Sequence, residues 1–247
     1  MRLLLLSDIH GNFSALQAIE KKFGTDSFDH IINCGDSLVY GPFPNETLAW
    51  LTKYNTLSIL GNTDKKVMKL LRGKSFKKPG KQEKRIMYTW TADILSKSSR
   101  RYLKTLSKST NLRLRHVSSG SPERFTQLGI FHGSPAAHHE FLFDDTPDAR
   151  FFELAEQTDC QIIVTGHSHT PYHKYLANTH FINPGSVGRM FDGDPKTSCA
   201  ILTLNMGNIQ VEHFRISYQI DKVVSAIKAN QLPDIYCQMF LTGKKLN

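Results

Sequence analysis

The chain has 247 residues, 40% of them hydrophobic, with a formal net charge of +9. That composition excludes a disordered chain and is ample for a large α/β core. No apolar run approaches a membrane span, and the opening run Leu3 to Leu6, ended by Asp8 and His10, is too short for a signal peptide.

The elements follow in order. "RLLLL" (2–6) reads as a buried strand, and "NFSALQAIEKKFG" (12–24) as a helix with Phe13, Leu16 and Ile19 on one face and Gly24 as its stop. "HIINCGD" (30–36) is a second strand, "PNETLAWLTKYN" (44–55) a second helix and "TLSIL" (56–60) a third strand. This β-α-β-α-β order predicts parallel strands with helical crossovers. Residues 65–85 start as a helix and dissolve into a Lys/Gly/Pro stretch expected to be a mobile loop, and two helical pieces follow at about 86–97 and 98–107. "NLRLRHV" (111–117) and "FTQLGIFHG" (125–133) read as a hairpin joined by "SSGSPER". A helix at 148–157 and a strand "QIIVTGH" (161–167) come next. Paired β segments at 172–176, 179–185, 198–205 and 209–216 have Asn178 and "MGN" (206–208) as turns, and the tail from Gln219 has helical periodicity. With no internal repeat and no clean linker, one domain over 1–247 is expected.

Charge is unevenly placed. Residues 65–115 carry 17 Lys/Arg against Glu83 and Asp93, a local balance of +15 that leaves −6 for the rest of the chain. Such a segment predicts either a nucleic-acid surface, with Phe76, Tyr88, Trp90 and Tyr102 available for stacking, or a cap that attracts small phosphorylated substrates. Cys34, Cys160, Cys199 and Cys237 form no C-x-x-C pair and read as reduced core residues of a cytoplasmic protein.

Polar residues collect at strand ends. Asp8 and His10 follow the first strand ("SDIHGN"), Asp36 the second ("CGDS") and Asn62 the third ("LGNTD"). His132 ("FHGS") and the pair His167 and His169 ("TGHSHTP") follow two later ones. Ligands of open α/β sheets bind at the carboxyl ends of strands, and glycines let the turns bend so that side chains converge. Imidazoles and carboxylates suit first-row transition ions such as Mn, Fe, Ni or Zn. Seven ligands exceed one tetrahedral site but suit two adjacent ions, the arrangement that stabilises the attacking and leaving oxygens of phosphoryl hydrolysis. A hydroxide held between such ions would attack phosphorus in line.

The ordered set Asp8-x-His10, Gly35-Asp36, Gly61-Asn62, His132 and Gly166-His167-Ser168-His169 resembles the calcineurin-like metallophosphoesterase superfamily. "YGPFPNE" (40–46), "FHGSPAAHHEFL" (131–142) and "NPGSVGRMFDGDP" (183–195) resemble its small prokaryotic phosphodiesterase branch, and the likeness spans nearly the whole chain. The resemblance implies a four-layer αββα sandwich of two mixed β-sheets with a dimetal site at the strand C-terminal ends. It implies two divalent ions, manganese first among the candidates. Asp8, His10 and His169 would hold one, Asn62, His132 and His167 the other, and Asp36 would bridge. It also implies phosphodiester hydrolysis in which His10, Asp36, Asn62 and His132 are catalytic.

One departure bears on the chemistry. Many members carry a histidine after Gly-Asn that is taken as the proton donor, and here Thr63 stands in its place. Threonine cannot supply a proton near neutral pH, so good leaving groups or another donor are expected. His138 and His139 are candidates for donor or substrate contact, and a dual role for His10 is the third option. Asp64 is expected to orient the turn after Asn62. Asn12 is expected either to touch a phosphate oxygen or to cap the helix at 13–23. Arg189 is a candidate phosphate clamp, against a structural ion pair with Asp192 or Asp194. Phosphomonoester, nucleotide, dinucleoside-polyphosphate or phosphoprotein hydrolysis are the nearest alternatives, ahead of a nuclease using the basic segment and a non-catalytic scaffold.

Overall fold

The structure is a computed structural model that describes residues 1–75, 77–116, 124–205 and 208–247. Strand β1 (Arg2–Leu6), helix α1 (Phe13–Phe23), β2 (His30–Asn33), α2 (Pro44–Lys53) and β3 (Leu57–Ser58) open the chain, with β1 parallel to β2 and β2 parallel to β3. The helices α3 (Asn62–Leu71), α4 (Gln82–Ile94) and α5 (Lys97–Thr105) follow. Then come β4 (Ser109–His116), β5 (Arg124–Phe131), α6 (Asp148–Ala155), β6 (Ile162–Val164), β7 (Tyr172–Leu176), β8 (Thr179–Asn183), β9 (Thr197–Asn205) and β10 (Asn208–Ile216). Helices α7 (Ile220–Ala229) and α8 (Ile235–Thr242) end the chain.

Among the described residues the strands form two mixed sheets, ordered β10-β9-β1-β2-β3 and β4-β5-β6-β8-β7. The alternation of β1 explains the layering. Leu3 and Leu5 join Ile32, Leu128, Ile130, Ile162 and Val164 in the core between the sheets, whereas Leu4 and Leu6 face Leu16, Ile19, Leu48 and Leu51 of the helical layer. A strand buried on both faces reads as an unbroken apolar run, and each such leucine contributes about 1.5–3 kcal/mol. β6 does the same for the other sheet: Ile162 and Val164 point inward, while Ile163 packs outward with Phe151 and Leu154 of α6. The result is helix, sheet, sheet, helix.

The helices of the basic segment extend the first helical layer, because Val67, Met87, Tyr88, Ala92, Leu95 and Leu103 join the core that holds Leu16 and Leu48. Three expectations shift. The Lys/Gly/Pro stretch shrinks to 72–81 because α3 runs to Leu71 and α4 starts at Gln82. The third strand keeps only Leu57 and Ser58, since its continuation turns away: Leu60 donates its N–H to Ser107 O and not to a strand partner. The late β segments divide between the sheets. β7 pairs antiparallel with β8 and β9 with β10, as expected, but the second pair joins the first sheet through β9, which is antiparallel to β1. The connections at 117–123 and 206–207, and Phe76, lie outside the described residues.

Candidate metal centre

All the parallel strands of both sheets end at one edge, and the candidate ligands follow those ends. Backbone bonds tie neighbouring turns within each sheet, Asp8 N–H to Gly35 O and Gly166 N–H to His132 O, both at 2.9 Å, and join the two sheets through Val187 N–H to Ser7 O at 2.9 Å and Gly188 N–H to Asp8 O at 3.0 Å. The turns are tightly wound. Asp8, His10, Asp36, His167 and His169 all have φ between 50° and 67°, a region that costs a non-glycine residue about 1–3 kcal/mol and clusters at functional sites. Packing leaves no slack: a Cβ on Gly61 would meet Asp36 Oδ1 at 2.0 Å, and one on Gly166 would meet Ser7 Oγ at 1.9 Å.

The first cluster is Asp8, His10 and His169, all buried. Asp8 Oδ1 lies 3.3 Å from His169 Nε2 and 3.9 Å from His10 Nε2, and the two imidazole nitrogens are 3.2 Å apart. His10 Nδ1 is held by Leu38 O at 3.2 Å and His169 Nδ1 by Arg189 O. With each Nδ1–H donated to a carbonyl, each Nε2 carries a lone pair, as in metal-ligating histidines. Asp8 Oδ2 accepts from Ser7 Oγ at 2.6 Å and His167 N–H at 2.9 Å, but the buried Oδ1 has no hydrogen-bond partner. Two lone pairs and a carboxylate oxygen thus converge on one point with no donor between them.

The second cluster is Asp36, His132 and His167. His132 Nδ1 is held by Cys34 O at 2.8 Å, and its Nε2 sits 3.5 Å from Asp36 Oδ1 and 3.1 Å from Asn62 Oδ1. Asn62, the first residue of α3, therefore adds a neutral oxygen to this group. Asp64 orients the turn as expected, accepting N–H bonds from Gly61 at 3.0 Å, Ser37 at 3.2 Å and Leu38 at 3.0 Å. Thr63 donates its N–H to Asp36 Oδ1 at 2.7 Å and its hydroxyl to Leu38 O at 3.0 Å.

Electrostatics favour cations here. Burial pushes the Asp8 carboxyl up, but His169, His132 and His10 overcome it and hold it below the usual range. Burial and the neighbouring Asp8 carboxylate raise Asp36 to about 7, and burial and Asp36 raise Asp64 to about 7. Burial, then His169, drives His10 well below its ordinary value, and burial, then His132, lowers His167 to about 3. Neutral imidazoles beside repelling carboxylates are the donor set that divalent transition ions stabilise. The orphaned Asp8 Oδ1 and the facing Nε2 atoms fit such ions.

A cavity of about 390 Å³ opens onto both clusters and is lined by His10, Asp36, Asn62, His167 and His169. Phe141 stacks on His167 at 4.1 Å and Phe191 on His169 at 4.4 Å. Arg189 reaches this cavity, and the alternative ion pair is corrected: Asp192 and Asp194 pair with Arg215. Asn12 does not reach it. Its Oδ1 caps α1 through Ala15 N–H at 3.2 Å and its amide donates to Gly188 O at 3.1 Å, so no polar atom is spare for a phosphate. His138 and His139 also stay out of the wall; their rings pack 5.3 Å from His132 and 6.3 Å from His167. Burial, then His132, lowers His138 to about 3, which favours its neutral form. Of the stacking aromatics expected of the basic segment, the three described ones are used internally: Tyr88 is buried, and Trp90 and Tyr102 pack on the helical core.

Sequence reasoning missed Tyr40, Lys84, Phe143, Lys245 and Asn247, which also face the cavity. Tyr40 lies inside a quoted motif, but the lysines carry no local signal, since α4 and the chain end reach the site only through packing.

The profile of the calcineurin-like phosphoesterase superfamily domain matches residues 1–207. An uncharacterised protein of Methanocaldococcus jannaschii is 28% identical over 262 residues, covering 97% of each chain. A crystal structure of a metallophosphoesterase from Sphaerobacter thermophilus is similar at a TM-score of 0.77 and 25% identity, covering 98% of this chain and 99% of its own. That of a hypothetical protein from Pyrococcus horikoshii OT3 is similar at a TM-score of 0.81 and 18% identity, covering 99% of both chains.

Proposed function

Since the chain belongs to the calcineurin-like phosphoesterase superfamily, we propose that it is a metal-dependent phosphoesterase of the small prokaryotic phosphodiesterase branch, hydrolysing phosphodiester bonds. The observation that carries this reading is the buried, unpartnered Asp8 Oδ1 facing two imidazole nitrogens that are 3.2 Å apart. Asp8, His10 and His169 would hold one divalent ion and Asn62, His132 and His167 a second, with Asp36 as the expected shared ligand; such ions, manganese by preference, would supply Lewis-acid charge stabilisation and a water-derived nucleophile at neutral pH.

The chain's own groups set the rest. Backbone carbonyls of Leu38, Cys34 and Arg189 fix the rings of His10, His132 and His169, so the donor atoms are preorganised. Thr63 spends its hydroxyl on Leu38 O, so it offers no proton to a departing alkoxide. That supports substrates whose leaving oxygen is already stable as an anion. Arg189 and the cationic face of 65–115 draw anionic substrates toward the cavity. We read 1–247 as one domain in which 65–115 is a basic helical cap, acting in the cytoplasm on small phosphorylated molecules. The internal use of Tyr88, Trp90 and Tyr102 favours such substrates over nucleic acid.

The test is manganese-supported hydrolysis of bis(p-nitrophenyl) phosphate beside p-nitrophenyl phosphate, with a chelated control. Diester turnover that exceeds monoester turnover and disappears on chelation is expected. Folded, metal-loaded protein inactive on both would overturn the proposal.

A further inference from the structure

Three of the four imidazoles at the candidate metal centre are held by a backbone carbonyl, and the fourth is not. His10 Nδ1 meets Leu38 O at 3.2 Å, His132 Nδ1 meets Cys34 O at 2.8 Å and His169 Nδ1 meets Arg189 O. Among the described residues no hydrogen bond reaches either ring nitrogen of His167; its backbone N–H goes to Asp8 Oδ2 at 2.9 Å. Yet one of its ring nitrogens lies within 4.8 Å of the donor atoms of Asp36 and His132. A ligating imidazole ordinarily takes its orientation from a partner on the nitrogen that faces away from the ion, so His167 needs another source.

Stacking supplies it. Phe141 covers His167 with ring centres 4.1 Å apart and planes 22° apart, and Phe143 lies nearly parallel to Phe141 at 6.2 Å and 9°. Aromatic pairs favour such offset, near-parallel faces. Phe191 lies on His169 in the same manner, but that ring already has its carbonyl. Folding does not account for Phe141, which is 52% exposed and belongs to none of the apolar clusters of the described residues.

The backbone on either side of Phe141 is fixed by groups that point elsewhere. Glu140 accepts from Arg150 Nε at 2.7 Å and Nη2 at 3.1 Å, and from Ser134 Oγ. Leu142 is buried with Phe151 and Leu154 of α6. Thr146 closes the far end, its Oγ1 accepting from Phe143 N–H at 2.9 Å and its N–H donating to Phe143 O at 3.1 Å. The return of the chain at Gly133 is so close that a Cβ there would meet Ala137 O at 2.5 Å and Glu140 N at 2.7 Å. A loop strapped in this way holds an exposed ring in one place.

We propose that Phe141 is a positioning residue for His167, doing by stacking what a carbonyl does for the other three rings, so that the site of the second ion is completed by the loop at 140–146. The inference rests on reading His167 as a ligand of that ion. The stacked face holds the imidazole in one plane, with a nitrogen turned toward Asp36 and His132. Without that face the ring turns about its Cβ–Cγ bond, and ion binding carries the entropy of ordering it.

The test compares full-length wild type with Phe141→Leu, which keeps apolar bulk but has no flat face, and Phe141→Tyr, which keeps the face. In chelator, carbon-13 relaxation reports the order of each histidine ring. His167 should be as ordered as His10 and His132 in wild type and Phe141→Tyr, and should fall below an order parameter of about 0.6 in Phe141→Leu alone. Calorimetric titration with manganese reads the ion, with His167→Gln identifying the equivalent that His167 serves. Phe141→Leu should weaken that equivalent by at least about tenfold, the scale for losing a group that orients a ligand, and leave the other unchanged. Phe141→Tyr should match wild type. In protein that binds two ions, an unchanged order parameter or affinity in Phe141→Leu, equal weakening of both equivalents, or a Phe141→Tyr that behaves like Phe141→Leu overturns the inference and leaves the proposed function standing. Folded wild type that binds no manganese, with the ring loosened only in Phe141→Leu, overturns the proposed function and supports the positioning of His167.

Discussion

Replacing Asp8 by Asn exchanges one oxygen for an amide nitrogen, and its effect on stability should change sign with metal. The side-chain oxygen that accepts from Ser7 Oγ and His167 N–H is retained. The amide nitrogen then falls where Oδ1 now sits unpartnered, 3.3 Å from His169 Nε2. That nitrogen is an acceptor, because Nδ1 of the same ring is bonded to the Arg189 carbonyl. In chelator at pH 8.5, where imidazoles are unprotonated, the variant relieves a buried unsatisfied anion and gains about 1–3 kcal/mol. For a chain of this size that corresponds to a rise in Tm of about 2–12 °C. With manganese the order reverses. Wild type gains about 2.7 kcal/mol per site at a hundredfold excess over Kd, and the variant forfeits that at the first site. Differential scanning calorimetry in chelator and in manganese reads both arms. A variant less stable than wild type in chelator at pH 8.5, or one with the full manganese shift, refutes the cation-site reasoning.

Gly61→Ala forces a Cβ to within 2.1 Å of the Asp36 backbone nitrogen. Because backbone must move, a loss of at least about 2 kcal/mol is expected by denaturant titration, together with weaker metal occupancy measured by elemental analysis. Thr63→His restores an acid beside Asp36, so a leaving-group series should show a shallower dependence of rate on leaving-group pKa; an unchanged slope counts against a missing donor. Acid should destabilise the metal-free fold. His138 and His167 are lowered to about 3 and His180 to about 4 from 6.5, in each case chiefly by burial. As pH falls below 6.5 the unfolded chain binds protons that the fold refuses, so stability drops through that window. His180→Gln should flatten the drop by less than about 1 kcal/mol per pH unit, discounted because that ring is half exposed. Urea titrations from pH 7.5 to 5.5 with identical slopes would exclude this origin.

The residues that gather at the candidate metal centre were legible because each combines a polar side chain with a strand end and a nearby glycine, signals that lie within a few residues. The alternation of β1 and β6 was only half legible. Unbroken apolar runs announce burial on both faces, but they do not say that Leu3 and Leu5 meet Ile162 and Val164 while Leu4 and Leu6 meet α1 and α2. The late β segments read as two pairs and form them, β7 with β8 and β9 with β10, but nothing local says that the second pair joins the other sheet through β9 and β1, because that partner is chosen by the long-range fit of apolar faces. Asn12 was open between two roles, and the structure decides it by supplying partners for both of its polar atoms.

Sequence alone determined the α/β class, the superfamily resemblance and the seven residues that gather at the strand ends, since chemistry and turn propensity are local properties. The tertiary structure decided which of them face one another, leaving Asp8 Oδ1 without a donor and turning the Nε2 atoms of His10 and His169 together. It also brought Lys84 and Lys245, 161 positions apart in the chain, to the wall that Arg189 shares. No local pattern encodes that meeting, because it is produced by the packing of α4 and the chain end against the first helical layer.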